Sequence, residues 1–154
     1  MFEFEKILKG LRDFAESEVP LDLLYIAANE VNAEFQNRVF NSEEGAKDKT
    51  GKGLGGYSNK WAKVRKKAGR QTKFKDLEFT GSLRRSIRTA RTENEAQILI
   101  TSGLEVQKAK EKKKLTQKDI FSLSDSEKES FNEKVIKLFN NEIEEIVKNA
   151  QNNK

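Results

Sequence analysis

The sequence contains neither cysteine nor histidine. Without cysteine there is no disulfide, no thiolate nucleophile and no cysteine-ligated metal. Histidine is the usual proton shuttle near neutral pH and the commonest transition-metal ligand, so its absence excludes a Ser-His-Asp triad and a histidine-based zinc site. Most familiar enzyme designs are thereby excluded, and we expect no catalytic residue, no cofactor and no metal site.

The chain also lacks long apolar runs. No stretch approaches the length of a membrane-spanning helix, so no membrane partner is expected. The first residues, MFEFEKILKG, mix acidic with apolar side chains and do not resemble a signal peptide, so we expect a protein made in the cytoplasm. Charged residues make up 36% of the sequence and hydrophobic residues 35%. This polar composition favours ordering of some segments only against a partner.

Charge is unevenly distributed along the chain. The net charge is −5 over residues 1–50, +12 over residues 51–123 and −2 over residues 124–154. A cluster of lysine and arginine is typical of a nucleic-acid-binding surface, because binding releases counterions from the phosphates. The same asymmetry fits a basic middle that contacts acidic helices of its own subunit or of a neighbour. Aromatic residues are sparse among the basic ones, which favours the second interpretation.

Apolar residues recur at helical spacing in three long segments. Residues 3–17 predict a short amphipathic helix, and the segment from Pro20 to about residue 40 predicts the main core helix, because proline is tolerated in a first turn. Ser124 and Glu127 match a capping box that opens a third helix, which is expected to end at about residue 149. Residues 150–154 are expected to be a frayed tail.

The segments between these helices are polar. Residues 41–59 carry five glycines and predict a flexible loop, although they lack the spacing of a phosphate-binding loop. Trp61, Val64 and Ala68 predict one or two helical turns. The basic residues 104–120 predict a flexible arm.

The runs SIRTART and AQILITS flank the turn Glu93-Asn94-Glu95 and predict a β-hairpin. We therefore expect one α+β domain over 1–154, with three amphipathic helices packed on a small antiparallel sheet and with long extended loops. A two-stranded hairpin is marginal by itself, so a third strand is expected from a loop or from another subunit.

The stretch LEFTGSLRRSIRT predicts a sharp turn beside concentrated positive charge. Thr80 is expected to cap a short helical turn and Gly81 to allow the tight entry. Leu83 and Ile87, four residues apart, would hold that turn against the core. Four arginines in and just after this stretch are expected to stay exposed, available to acidic neighbours or to DNA: Arg84, Arg85, Arg88 and Arg91.

The order of these features resembles the tailed-phage virion morphogenesis family, the neck or tail-completion proteins. The resemblance extends from Leu21 to Val147. It begins with an apolar helix ending in RVF, a glycine-rich loop leading to Gly-Tyr-Ser, and a tryptophan followed by basic residues. The pattern L-x-x-T-G-x-L-x-x-S-I comes next, followed by a hairpin, a polar segment and a helix introduced by F-x-L-S-x-x-E. The motif residues are Trp61, Leu77, Thr80, Gly81, Leu83, Ser86 and Ile87, with Phe121, Leu123 and Ser124 as a second anchor.

The resemblance implies a structural protein of the virion neck rather than an enzyme. Such a protein would act in head-tail joining or tail completion as a cyclic homo-oligomer, expected to be a hexamer, through which DNA passes without sequence-specific contacts. Its other partners would be portal-side adaptor or head-closure proteins and tail-terminator or tail proteins. It would be made in the host bacterial cytoplasm and then reside in the virion, at the junction of neck and tail.

Two alternatives remain open from the residues alone. The basic middle of the chain is compatible with a nucleic-acid-binding module. Asp76 and Glu78 lie close in sequence to Lys75, which is compatible with a metal nuclease that uses carboxylates and a lysine.

Overall fold

The computed structural model describes residues 3–40, 43–78, 80–116 and 119–152. The described chain is an α+β domain, as the sequence predicted. Its elements, in chain order, are α1 (Glu3–Glu16), α2 (Val19–Val39), α3 (Asn59–Lys67), α4 (Ser82–Ser86), β1 (Ile87–Arg91), β2 (Ala96–Ile100), α5 (Gly103–Thr116) and α6 (Asp125–Asn152).

The three long helices α1, α2 and α6 pack against one another, because each carries an apolar stripe that recurs every three or four residues. Phe14 of α1 meets Phe139 of α6 edge-to-face, with ring centroids 5.7 Å apart. Between α2 and α6, the Lys134 Nζ lies 3.0 Å from a Glu30 carboxylate oxygen. The buried apolar residues of α2 are Leu23, Ala27, Ala28, Val31, Phe35 and Val39.

The hairpin packs on α2. Its strands are antiparallel, with Ile87 opposite Ile100 and Arg91 opposite Ala96. Ile87 is only 3% exposed and belongs to the core. Within the described residues the sheet has two strands, so the expected third strand is not found in the described loops. The hairpin is instead stabilised by packing against a helix, which a two-stranded sheet needs if no third strand pairs with it.

The glycine-rich segment contributes to the core. In its described part, residues 43–59, Ala46 is fully buried and Leu54 nearly so. Between them a turn is closed by Asp48, whose Oδ1 accepts hydrogen bonds from the backbone N–H groups of Thr50 and Lys52 at 2.9 and 3.1 Å. The flexibility of this segment stays a prediction, but the burial of Ala46 and Leu54 shows that part of the segment packs in the core.

The basic segment after the hairpin forms the helix α5, a regular element that the sequence analysis did not assign. Lysine, glutamate, glutamine and alanine all have high helix propensity, so a polar run of them can be helical without an apolar stripe. Near its start, the buried Glu105 carboxylate accepts a hydrogen bond from the Ser82 hydroxyl at 3.1 Å. Residues 117–118 of the predicted arm lie outside the described residues.

The helix α6 begins with the predicted capping box. The Glu127 N–H donates to the Ser124 Oγ at 3.2 Å, and the Ser124 N–H donates to the Glu127 carboxylate at 2.7 Å. The helix continues to Asn152, so the first three residues of the expected frayed tail are helical and the last two lie outside the described residues. None of the described helices combines the length and apolar content needed to cross a lipid bilayer.

Candidate functional site

The motif stretch forms a corner between the preceding loop and the hairpin. Leu77 and Gly81 both have left-handed backbone, with φ of 55° and 74°. A side chain makes this conformation costly, so Leu77 is held there by its surroundings. The Oγ1 of Thr80 accepts from the Ser82 N–H at 3.3 Å. Although Thr80 was expected to cap α4, the N-cap is Gly81, whose left-handed backbone directly precedes the helix.

The apolar motif residues attach this corner to the core. Leu77 and Leu83 pack against the same cluster that contains Ile87. The hydroxyl of Ser86 donates to the Leu83 carbonyl at 2.7 Å, and the Ser86 carbonyl accepts from the Thr101 N–H at 2.8 Å. These contacts join α4 to the residue that follows β2, so the corner fixes the direction in which the hairpin leaves the loop.

A buried arginine supports the corner from the other side. Arg65 of α3 is 1% exposed. Its Nε donates to the Gln71 carbonyl at 2.8 Å, and its Nη1 donates to the Glu78 carbonyl at 3.0 Å. Its Nη2 donates to the Asp76 Oδ2 at 2.8 Å. One guanidinium group therefore joins α3 to the loop in which the motif begins. Arginine suits this position because its planar group carries several N–H donors that point in different directions.

The Asp76 carboxylate is saturated by this network. Its Oδ1 accepts from the Tyr57 hydroxyl at 2.8 Å and from the Glu78 N–H at 3.0 Å. Its Oδ2 accepts from Arg65 and, at 2.7 Å, from the Gln71 amide. The Tyr57 ring lies under the Arg65 guanidinium, 4.5 Å from its centroid. Burial, reinforced by the bond to the Asp76 carboxylate, raises the pKa of Tyr57 from 10.0 to about 12.

The geometry of this network bears on the nuclease alternative. The side chain of Lys75 turns away from Asp76, and its Nζ donates to the Leu54 carbonyl at 3.4 Å. Glu78 lies 3.7 Å from Arg84 in a long ion pair. In the described part of the chain, no three acidic side chains are arranged to hold a metal ion. The structure therefore does not bring Lys75, Asp76 and Glu78 together around one point.

The four candidate arginines are all exposed, but they do not form one patch. Arg85 donates to the Thr80 carbonyl at 3.1 Å and lies beside the corner. Because side chains alternate along a strand, Arg88 and Arg91 leave β1 on opposite faces. Arg91 faces α2 and is paired with Glu18 and Asp22. It is therefore engaged within the subunit, while Arg84, Arg85 and Arg88 are exposed even though Arg84 also pairs with Glu78 and Arg85 with the Thr80 carbonyl.

The helix α3 presents apolar side chains to solvent and buries its arginine. Trp61 is 42% exposed and Val64 40% exposed. Ala68, which follows the helix, continues the line at three- and four-residue spacing and is also exposed. Lys60 and Lys67 lie next to Trp61 and Ala68 in the chain and, among the described residues, have no ion-pair partner. We call this surface, formed by Trp61, Val64 and Ala68 with the two lysines, the α3 stripe.

The helix α6 presents a second apolar line to solvent, in an acidic setting. Ile136 is 60% exposed and Ile143 37% exposed. Asn140 lies between them on the same face. Glu133 and Glu144 bracket the line and have no ion-pair partner in the described chain. We call this surface, formed by Ile136, Asn140 and Ile143 with the two glutamates, the α6 stripe.

Two arginines with extensive internal contacts were not predicted from the sequence: Arg65, which is buried, and Arg38, whose side chain is 11% exposed. Arg65 is the only arginine of α3, whose other basic residues are lysines, and this difference was a usable signal because arginine suits buried sites with several acceptors. Arg38 lies seven residues after the buried Val31, and so on the apolar side of α2. A charge on an apolar stripe indicates a buried partner, which for Arg38 is Glu127 at 2.8 Å.

Comparisons of the chain with protein-family models, with curated proteins and with solved structures found no match. The resemblance to tailed-phage neck proteins stays a prediction, based on the motif from Leu77 to Ile87 and on the order of the elements around it.

Proposed function

We propose that this chain is a structural subunit of a tailed-phage neck, where copies of it close a ring around the DNA path between head and tail. The observation that carries the proposal is the stretch from Leu77 to Ile87, whose pattern resembles that family and stands in the expected order of elements. In the structure these residues turn the chain and attach the hairpin to the core. A role in architecture rather than in chemistry suits such residues.

The exposed apolar side chains support a subunit with several neighbours. Phe4 on α1 is 69% exposed and Leu104 on α5 is 64% exposed, and both lie outside the α3 and α6 stripes. Single exposed apolar residues are common on monomers. Their distribution over five helices, α1, α2, α3, α5 and α6, suits a ring subunit, which contacts two copies of itself and the proteins above and below it.

The accessible arginines suit the same assignment. Arg84, Arg85 and Arg88 lie at or near the corner and are exposed. In a ring, such groups would contact acidic neighbours, or would contact passing DNA through its phosphates without reading the sequence. Contacts of opposite charge favour the register and the rate of association more than the affinity.

The test is deletion of the gene from the phage genome that encodes the chain, followed by electron microscopy of the lysate. We expect filled heads and separate tails, because the joint between them is missing. A plasmid copy of the wild-type gene, as the control, should restore complete particles. Complete particles produced without any copy of the gene would overturn the proposal.

A nucleic-acid-binding module is the second candidate. The observation that favours it is the set of exposed lysines on α3, Lys60, Lys63, Lys66 and Lys67, which suit contacts with phosphates. Binding of the isolated protein to duplex DNA should then be tight and should weaken with salt, with a logarithmic slope of about −0.9 per phosphate contact. A structural ring subunit should bind weakly and without sequence preference.

A further inference from the structure

We infer that neighbouring copies contact each other through the α3 stripe of one subunit and the α6 stripe of the next. This inference rests on the proposed function, in which copies of the chain form a ring. It goes further because it names the two surfaces and the direction of the contact: each subunit uses its α3 on one side and its α6 on the other.

The α3 stripe is exposed on a helix that is fixed in place by hydrogen bonds. The helix is anchored by Arg65, whose three donor groups reach the loop beneath it. Trp61 and Val64 of this anchored helix are 42% and 40% exposed, which leaves apolar surface in water. Tryptophan at the centre of a contact commonly contributes a large share of the binding free energy, so Trp61 is the expected anchor of the interface.

The apolar rows of the two stripes match in length, and their charges are opposite. Trp61 and Ala68 are seven residues apart, as are Ile136 and Ile143, and each interval spans about 10 Å along a helix. Each stripe also carries two charged residues of one sign, lysines on α3 and glutamates on α6. Two helices packed at about 8–10 Å would bring these rows together.

The charges also identify the occupant of each stripe. Lys60 and Lys67 have no acidic partner within the described subunit, and Glu133 and Glu144 have no basic one. A second copy of the chain satisfies both surfaces at once, whereas nucleic acid would occupy only the α3 stripe and leave the acidic α6 stripe exposed. Because the two stripes differ, the contact is heterologous, which is the type that generates rings.

Disulfide trapping tests the contact directly. The chain has no cysteine, so any cross-link between introduced cysteines can be assigned. Val64 is near the middle of the α3 stripe and Asn140 near the middle of the α6 stripe, so the two positions meet whether the helices run parallel or antiparallel. We expect the Val64→Cys variant mixed with the Asn140→Cys variant to form a disulfide dimer on mild oxidation.

Matched controls separate this contact from random collision. Ile26 on α2 is 42% exposed, as Trp61 is, but belongs to neither stripe. The Val64→Cys variant mixed with Ile26→Cys should give at most about a tenth of the dimer formed with Asn140→Cys, because cysteines must come within a few ångströms to bond. Equal yields in the two mixtures would overturn the inference, and so would a Val64→Cys dimer that forms as readily by itself.

Charge exchange gives an independent test by sedimentation of the purified protein. The Lys60→Glu, Lys67→Glu variant and the Glu133→Lys, Glu144→Lys variant should each associate at least about tenfold more weakly than wild type, because attraction is replaced by repulsion. The chain that carries all four substitutions should regain association. If the two double variants associate like wild type, the inference is wrong, while the head-tail phenotype of the deletion still decides the proposed function separately.

Discussion

Arg38 and Glu127 are 89 positions apart in sequence, yet the Arg38 Nε and Nη2 donate to the two Glu127 carboxylate oxygens at 2.8 and 3.1 Å. The same guanidinium donates to three carbonyls, those of Lys47 at 2.9 Å, Ile120 at 3.2 Å and Ser122 at 2.8 Å. The end of α2, the glycine-rich segment, the segment before α6 and the start of α6 therefore meet at one side chain.

Removing the Glu127 carboxylate should be costly. The Glu127→Ala variant leaves the Arg38 charge, in a side chain only 11% exposed, without its partner and removes half of the capping box, so we expect a loss of about 3 kcal/mol in the free energy of unfolding. The Glu127→Gln variant can still accept from Arg38 and from the Ser124 N–H, and should lose less. Urea unfolding followed by circular dichroism measures both, and an equal loss for the two variants would show that hydrogen bonding at this position is unimportant.

Arg65 should not be replaceable by lysine. Its three nitrogens reach the Gln71 carbonyl, the Glu78 carbonyl and the Asp76 carboxylate. A single ammonium group cannot bridge all three, so the Arg65→Lys variant should lose several kcal/mol, on the order of 3, although the charge is kept. Exchange of the neighbouring exposed Lys66 for arginine is the control and should change the melting temperature little. A wild-type melting temperature for Arg65→Lys would refute the proposed anchoring of α3.

Gly81 should tolerate alanine poorly, for two separable reasons. Its φ of 74° is costly for any residue with a Cβ, by about 1–2 kcal/mol. A Cβ at this position would also lie 2.7 Å from the Arg85 Nη1, so that side chain would have to move from its bond to the Thr80 carbonyl. Gly51 has φ of 81° with no atom near its missing Cβ, so Gly51→Ala measures the backbone cost by itself. Gly81→Ala should be the more destabilised of the two in urea unfolding.

Tyr57 should resist ionisation. Its pKa is raised to about 12, which means that the folded state holds the phenolic proton more tightly than the unfolded state, where the value is near 10.0. The stability linked to this group is therefore complete below pH 10 and is lost as the pH rises towards 12. Tyr25→Phe leaves Tyr57 as the only tyrosine, and its tyrosinate absorbance should then appear about two pH units later than in the unfolded chain. Titration near pH 10 in the folded protein would show that the hydroxyl is neither buried nor held by Asp76.

The parts of the fold that follow from local rules were predictable. Ser124 and Glu127 satisfy each other within one turn, so the sequence motif was sufficient to place the start of α6. The long helices have a regular apolar spacing, and the hairpin has alternation around a polar turn. α5 was missed because its sequence, GLEVQKAKEKKKLT, has no apolar periodicity and only its helix propensity indicates the element.

The interactions that shape the candidate site were less predictable because their partners are distant or belong to the backbone. Arg65 binds two carbonyls whose positions depend on the path of the loop, and no sequence pattern encodes that path. Arg91 is exposed, as expected, but the ion pairs that it makes with Glu18 and Asp22 depend on the register of the hairpin, which the sequence does not specify. The two surface stripes became visible only when the burial of Arg65 and the packing of α6 set which residues face solvent.

Negative-stain electron microscopy of the purified protein over a range of concentrations tests most directly whether the chain is a ring-forming subunit. We predict closed, uniform rings with a central channel wide enough for duplex DNA, and loss of those rings in the Lys60→Glu, Lys67→Glu variant. Particles that remain single subunits at every concentration, or that grow as open filaments without closing, would contradict it.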